Sequence, residues 1–211
     1  MGDPYQTSYW NRAGRGKRFS HPLDREFLVA QVPPATRILD VGCGYGRSLT
    51  ELRELGYREV VGVDTSAAML GRGRAPDLDL RLVSGPPLPF ADASFGLVLL
   101  FAVLTSIPSL ERQASVLDEI ERLLAPGGRV MVSDLMLQPD ARNRRRYAAY
   151  GGDLGYGCFE ADDGALFRHH DEAWLAALAA RWEAPTVRRV RCVTMNGNPV
   201  ECLQLIGRKR G

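Results

Sequence analysis

The stretch Asp40-Val41-Gly42-Cys43-Gly44-Tyr45-Gly46 constrains this chain more than any other. It stands between a short apolar run, Arg37 to Val41, and a segment from Gly46 to Leu55 whose leucines 49, 52 and 55 share one helical face. A glycine-rich turn from a buried strand into a helix brings backbone close to a ligand and offers it the unpaired N–H groups of the helix start. The spacing is Gly-x-Gly-x-Gly, so the third glycine falls one residue short of the dinucleotide fingerprint Gly-x-Gly-x-x-Gly. An acid two residues before the first glycine suits an ammonium group better than a pyrophosphate. Both details favour a cationic nucleoside ligand over a nicotinamide dinucleotide. About 20 residues further on, Asp64 follows the next apolar run, where a carboxylate can accept hydrogen bonds from both ribose hydroxyls. Its competing reading is a helix N-cap, a role that Thr65 or Ser66 fills equally well.

Around this turn the chain alternates strand and helix signals. Strands are expected at Arg37–Val41, Val60–Val63, Leu80–Val83, Leu97–Phe101 and Arg129–Ser133, and helices at Leu23–Gln31, Gly46–Leu55, Ser66–Leu70 and Leu110–Leu124. The strands lack polar alternation, as expected where helices cover both faces of a parallel sheet. Residues 1 to about 20 read as an irregular arm or lid. After Asp134 the pattern changes to an Arg-rich helix, a glycine-rich loop and an acidic turn from Glu160 to Gly164. A last helix follows from Asp171 to Arg181. Two closing strands, Thr186–Val193 and Val200–Ile206, flank an Asn-Gly pair typical of hairpins and should run antiparallel to each other. The expected organisation is one domain: a lid and helix at 1–34, a core at 35–134, a covering insertion at 135–170, and a last helix and hairpin at 171–211.

Composition excludes several classes. The longest apolar run, Leu97 to Leu104, is far short of the roughly 18 residues of a membrane helix. Net charge is +2, from 27 basic and 25 acidic residues, which is not the excess of a dedicated nucleic-acid binder. Cys43, Cys158, Cys192 and Cys202 lie far apart without a C-x-x-C pair, so neither a metal site nor a disulfide framework is expected. No signal peptide is visible, and a cytoplasmic setting is expected.

Four segments in order then carry a resemblance: Ile38–Gly44; Val63-Asp64; Leu88-Pro89-Phe90-Ala91-Asp92-Ala93-Ser94-Phe95; and Leu124-Ala125-Pro126-Gly127-Gly128-Arg129-Val130. The chain resembles the class I S-adenosylmethionine (SAM) dependent methyltransferases, closely over residues 36–135. The resemblance implies a doubly wound, Rossmann-like α/β fold with a seven-stranded, mostly parallel sheet and an antiparallel last strand. It implies SAM as cofactor. Gly42 and Gly44 would line its methionine and ribose part, with Asp40 towards the amino group, Asp64 at the ribose hydroxyls and Thr65 beside the adenine. The backbone carbonyl of Phe101 would face the amino group, and Tyr9 with Trp10 would close over the methionine end. Val83-Ser84-Gly85 stands where the family often has Gly-Asp-Ala, so Ser84 replaces an adenine-contacting Asp. Gly96 replaces another common Asp.

The acceptor side is less determined. Displacement at a sulfonium methyl needs the nucleophile held about 3 Å away and in line. A phenol or alcohol also needs a base, whereas a carboxylate or neutral amine does not. His169 and His170, just before the last helix, are the candidate bases, and neighbours in extended chain point opposite ways. Arg142 and Arg146, with Tyr150, are candidate acceptor contacts. The arginines suit a carboxylate or phosphate, the alternative being a solvated helix face. The acceptor is expected to be a small molecule methylated at oxygen or nitrogen, and the chain a monomer or homodimer. The rival readings are an RNA-modifying methyltransferase of this fold, although the base-methylating Asn/Asp-Pro-Pro-aromatic signature is absent, and a non-catalytic SAM-binding subunit.

Overall fold

In the computed structural model, which describes residues 4–73 and 77–211, five apolar runs form parallel strands: β1 (Ile38–Val41), β2 (Val60–Asp64), β3 (Asp79–Leu82), β4 (Phe95–Phe101) and β5 (Leu124–Leu135). Two-residue side-chain periodicity sends alternate residues of each strand to opposite faces. In β4, Leu97 and Leu99 join one buried cluster, while Val98 and Leu100 join the other. Both clusters are buried because helices cover both faces. On one side lie α2 (Arg25–Gln31) and α3 (Arg47–Glu54), contributing Leu28, Leu49 and Leu52. On the other lie α5 (Leu110–Leu123) and α7 (Glu172–Ala180), contributing Leu117, Ile120, Leu175 and Leu178. The remaining helices are α1 (Pro4–Ala13), α4 (Ala67–Leu70) and α6 (Ala141–Ala149).

The strand order is β3-β2-β1-β4-β5-β9-β8, with β8 at Glu183–Val193 and β9 at Pro199–Arg208. The closing hairpin therefore folds back so that its second strand lies inside, antiparallel to β5, and its first strand forms the edge. Chain order reverses between β1 and β4, and in open α/β sheets the ligand crevice forms at the carboxyl ends of strands flanking such a reversal. The glycine-rich turn leaves β1 at that point.

The structure corrects one expectation from the sequence and gives two others a structural setting. The described part of the N-terminal arm is not irregular: α1 and a 3-10 turn, Gly14–Gly16, pack over α4, and a Cβ on Gly14 would sit 2.3 Å from Met69 Sδ. Residues 1–3 of that arm lie outside the described residues. The acidic turn is the tip of a short hairpin, β6 (Cys158–Glu160) with β7 (Leu166–Arg168). Gly96, whose added Cβ would lie 2.7 Å from Thr36 Cγ2, stands at the opposite end of β4 from the crevice. Packing accounts for it, and it says nothing about cofactor. Among the described residues no helix is long and apolar enough to cross a membrane.

Candidate active site

A cavity of about 600 Å3 opens at the carboxyl ends of β1, β2 and β4. Gly42, with φ +72°, forms its floor because a Cβ there would stand 2.4 Å from Val103 Cγ2. Gly44, at φ +56°, donates its N–H to Asp64 Oδ2 at 2.8 Å, while Ser66 N–H bonds Oδ1 at 2.8 Å. The Asp64 carboxylate at the end of β2 is thus fixed in orientation, and burial still pushes its carboxyl upward. Asp40, one residue from the end of β1, is fully enclosed. Desolvation raises it to about 7, against the pull of Arg47 and with a smaller push from Asp64. No ion pair joins either acid to a cation among the described residues; the Arg47 guanidinium instead bonds Glu51 and the His21 carbonyl. A buried acid and a half-buried one, facing one cavity without a salt bridge among the described residues, fit a ligand that brings an ammonium group and hydroxyl donors.

Thr65, Gly85 and Phe101 also line this cavity, together with Asp40, Gly42, Gly44 and Asp64. Two other expected cofactor contacts do not. Ser84 is exposed and off the wall, leaving Gly85 to line it. Tyr9 is buried, and its hydroxyl donates to Asp163 Oδ2 at 2.8 Å; Trp10, about 100° further round the helix, takes the wall position instead. Trp10 and Phe19 stand with ring centroids 6.0 Å apart. Gln6 reaches the same wall. Its amide nitrogen donates to the Ser106 and Leu166 carbonyls, and its buried Oε1 has no partner among the described residues.

A second cavity, about 110 Å3, shares Trp10, Phe19, His21, Ala102 and Ser106 with the first. Arg142 and Arg146, one helical turn apart on α6, line it opposite Asn196 and Asn198 of the β8–β9 turn. Arg146 lies 3.6 Å above the Phe159 ring and donates to Asn143 Oδ1 at 2.9 Å, with no carboxylate in salt-bridge range among the described residues. Burial lowers its affinity for a proton, as expected of a partly desolvated cation lacking a counter-ion. Tyr150 lines neither cavity.

The two candidate bases separate. His169 faces the second cavity, but its Nδ1 lies 2.7 Å from the Tyr147 hydroxyl, which itself accepts the Gln138 N–H. With Tyr147 donating, the ring carries its proton on Nε2 and offers the cavity a donor. Burial, and then Arg146, hold its pKa at about 3. His170 lines neither cavity. It stacks on Trp174 at 3.6 Å, and burial holds it well below the usual imidazole range. Of the two, His169 alone reaches a cavity wall, and burial makes it a weak base. Gln6, Phe19 and His21 were missed in the sequence because only packing brings residues 6–21 over the crevice. Rarity was a signal for His21, one of three histidines.

Comparison with known proteins fits this geometry. Residues 39–132 match the methyltransferase domain family. Over these residues the chain carries a methyltransferase domain of the class I, SAM-dependent kind. It is similar to a trans-aconitate 2-methyltransferase of Methylobacterium nodulans, 36% identical over 164 residues, covering 71% of this chain and 60% of that protein. It is also similar to a demethylmenaquinone methyltransferase of Beutenbergia cavernae, 34% identical over 119 residues, covering 56% of this chain and 48% of the other. The chain spans about half the length of the first curated relatives it matches. A SAM-dependent methyltransferase of Methanosarcina mazei shares the fold with a TM-score of 0.79, at 24% identity, covering 87% of this chain and 97% of that one. So does a didemethyltoxoflavin N1-methyltransferase of Burkholderia thailandensis, solved with S-adenosylhomocysteine, with a TM-score of 0.61 at 24% identity, covering 89% and 76%.

Proposed function

We propose that this chain transfers a methyl group from SAM to a carboxylate oxygen of a small polycarboxylic acid, releasing S-adenosylhomocysteine. The carrying observation is the meeting of two unlike cavities at Trp10, Phe19, His21, Ala102 and Ser106. One presents the carboxylates of Asp40 and Asp64, which have no ion-pair partner among the described residues, and the other presents Arg142 and Arg146, with Asp162 also on its wall. SAM supplies a methyl group on a positively charged sulfur, ready for displacement without acid catalysis. Asp40 and the free Gln6 Oε1 would hold its amino group, Asp64 the ribose hydroxyls, and the glycine turn the backbone side of the ligand. Arg142 and Arg146 would anchor one acceptor carboxylate by charge-assisted hydrogen bonds, leaving a second carboxylate at the junction. A carboxylate is already a nucleophile at neutral pH, so an acidic acceptor needs no base. The low proton affinity of His169 and the position of His170 away from both cavities support that choice over a phenol or alcohol. The M. nodulans relative, named for an organic acid, agrees in class.

Calorimetric titration with S-adenosylhomocysteine tests the cofactor half. Micromolar affinity is expected, with none for NAD. Asp64→Ala should weaken binding by at least tenfold, about 1.4 kcal/mol, from loss of hydrogen bonds to a charged group. Labelled methyl transfer to a panel of di- and tricarboxylic acids, phenols, amines and bulk tRNA then tests the acceptor half. Label in an acid as a base-labile ester is expected. Label only in tRNA would overturn the acceptor class in favour of RNA modification. Tight cofactor binding without transfer to any acceptor, together with a copurifying chain, would instead mark a non-catalytic subunit.

A further inference from the structure

Three side chains unused by the proposed methyl transfer meet beside the junction of the two cavities. His21 comes from the segment before α2, Cys192 from the end of β8 and Cys202 from β9, and all three are buried. In the hairpin register Cys192 lies opposite Val200 and Cys202 lies opposite Val190. The two thiols are therefore diagonal neighbours on one face of the sheet. The metal-ligating atoms of the three residues all lie within 4.8 Å of one another, and His21 Nε2 is 3.9 Å from Cys202 Sγ. The ring is anchored from behind: Nδ1 lies 2.8 Å from Ser133 Oγ, and that hydroxyl donates its own proton to the Leu203 carbonyl at 3.2 Å. Ser133 thus accepts the Nδ1 proton, leaving the Nε2 lone pair towards the thiols. Metal-ligating histidines are held in this way, with one nitrogen donating backward and the other bare.

We propose that His21, Cys192 and Cys202 form a binding site for a thiophilic divalent cation of the zinc class. Two sulfurs and an imidazole are the donor set such an ion selects, at about 2.3 Å for sulfur and 2.0–2.1 Å for nitrogen in a tetrahedron. That geometry separates the ligand atoms by roughly 3.5–3.8 Å, so the tripod has to close by about 1 Å. Two thiolates cancel the charge of the ion, which suits the apolar packing of Leu135, Val200 and Ala102 around the cysteines. Three protein ligands leave a fourth position for water or a bound molecule. The site rests on this geometry and is independent of the acceptor assigned above.

The test uses the reduced, chelator-stripped chain titrated with Co2+. One equivalent is expected to bind with thiolate-to-cobalt charge-transfer absorption and tetrahedral ligand-field bands, both abolished by Zn2+. Cys192→Ser and Cys202→Ser should each weaken binding at least tenfold and reduce the thiolate band. Cys158→Ser, in another part of the fold, should leave both unchanged. Circular dichroism and S-adenosylhomocysteine titration on each preparation separate a lost site from a lost fold. No thiolate band in the wild-type chain, or a band that survives both serine variants, overturns the proposal. So does a Cys192–Cys202 disulfide that yields no cobalt-binding form on reduction. If cobalt fails while S-adenosylhomocysteine still binds, the metal site alone is wrong. If cobalt binds and S-adenosylhomocysteine does not, the metal site stands and the proposed function falls.

Discussion

Asp40 concentrates the electrostatics of the site in one residue. Its carboxyl, raised to about 7 by burial, is more easily protonated in the fold than in the unfolded chain. Its contribution to stability is therefore complete below the unfolded value, about 4, and is lost as pH rises through about 7, at up to roughly 1.4 kcal/mol per unit. Asp134, raised by burial to about 6, acts with the same sign over the lower part of that range. Replacing Asp40 by Asn should flatten the decline, read as the change in urea midpoint between pH 5 and pH 7 against wild type. A ligand ammonium reverses the preference by favouring the charged carboxylate. S-adenosylhomocysteine should thus bind more tightly as pH rises to about 7 and release protons, seen as a dependence of binding enthalpy on buffer ionisation heat. No such dependence would mean that the amino group does not meet Asp40. At this scale the glycines and the two acids were legible from the sequence, because a tight turn and a strand-end carboxylate are set within a few residues. Ser84 and Tyr9 were not, since one residue of slippage moves a side chain off the wall.

Among the elements, α6 and the closing hairpin bear on acceptor choice. Arg142→Ala or Arg146→Ala should raise KM for an acidic acceptor by roughly tenfold or more, the worth of a hydrogen bond to a charged group. S-adenosylhomocysteine affinity should stay unchanged, and steady-state kinetics beside calorimetry reads both. An equal effect on a neutral acceptor would show that α6 acts only through folding. The core strands were readable as elements because continuous apolar runs suit burial on both faces. The helix α1 was not: its aromatic residues owe their burial to Phe167 and Phe19, far along or outside the helix. The β6–β7 hairpin has three residues per strand, too few for a two-residue period to stand out.

Across the whole molecule, the N-terminal segment ties the core to the insertion. Asn11 accepts from Ser66 and the Ala68 N–H, Gln6 bonds Ser106 and Leu166, and Lys17 bonds Asp163 and Asn196. Bound S-adenosylhomocysteine should therefore slow amide exchange in residues 4–21 and 158–169 as well as in the glycine turn. Protection confined to 39–132 would show that the N-terminal roof takes no part in binding. The sequence by itself determined the parallel core and the acids beside the glycine turn, because each follows from local periodicity or one turn, while the doubly wound order was implied by the family resemblance. Only the tertiary structure brought the second cavity together. Its wall is assembled from residues 10–21, 102–106, 135, 142–169 and 193–200, whose distance along the chain hides which side chains meet. Burial then set their chemistry, keeping His169 neutral, removing His170 from the site and gathering His21 with two cysteines that spacing alone had left apart.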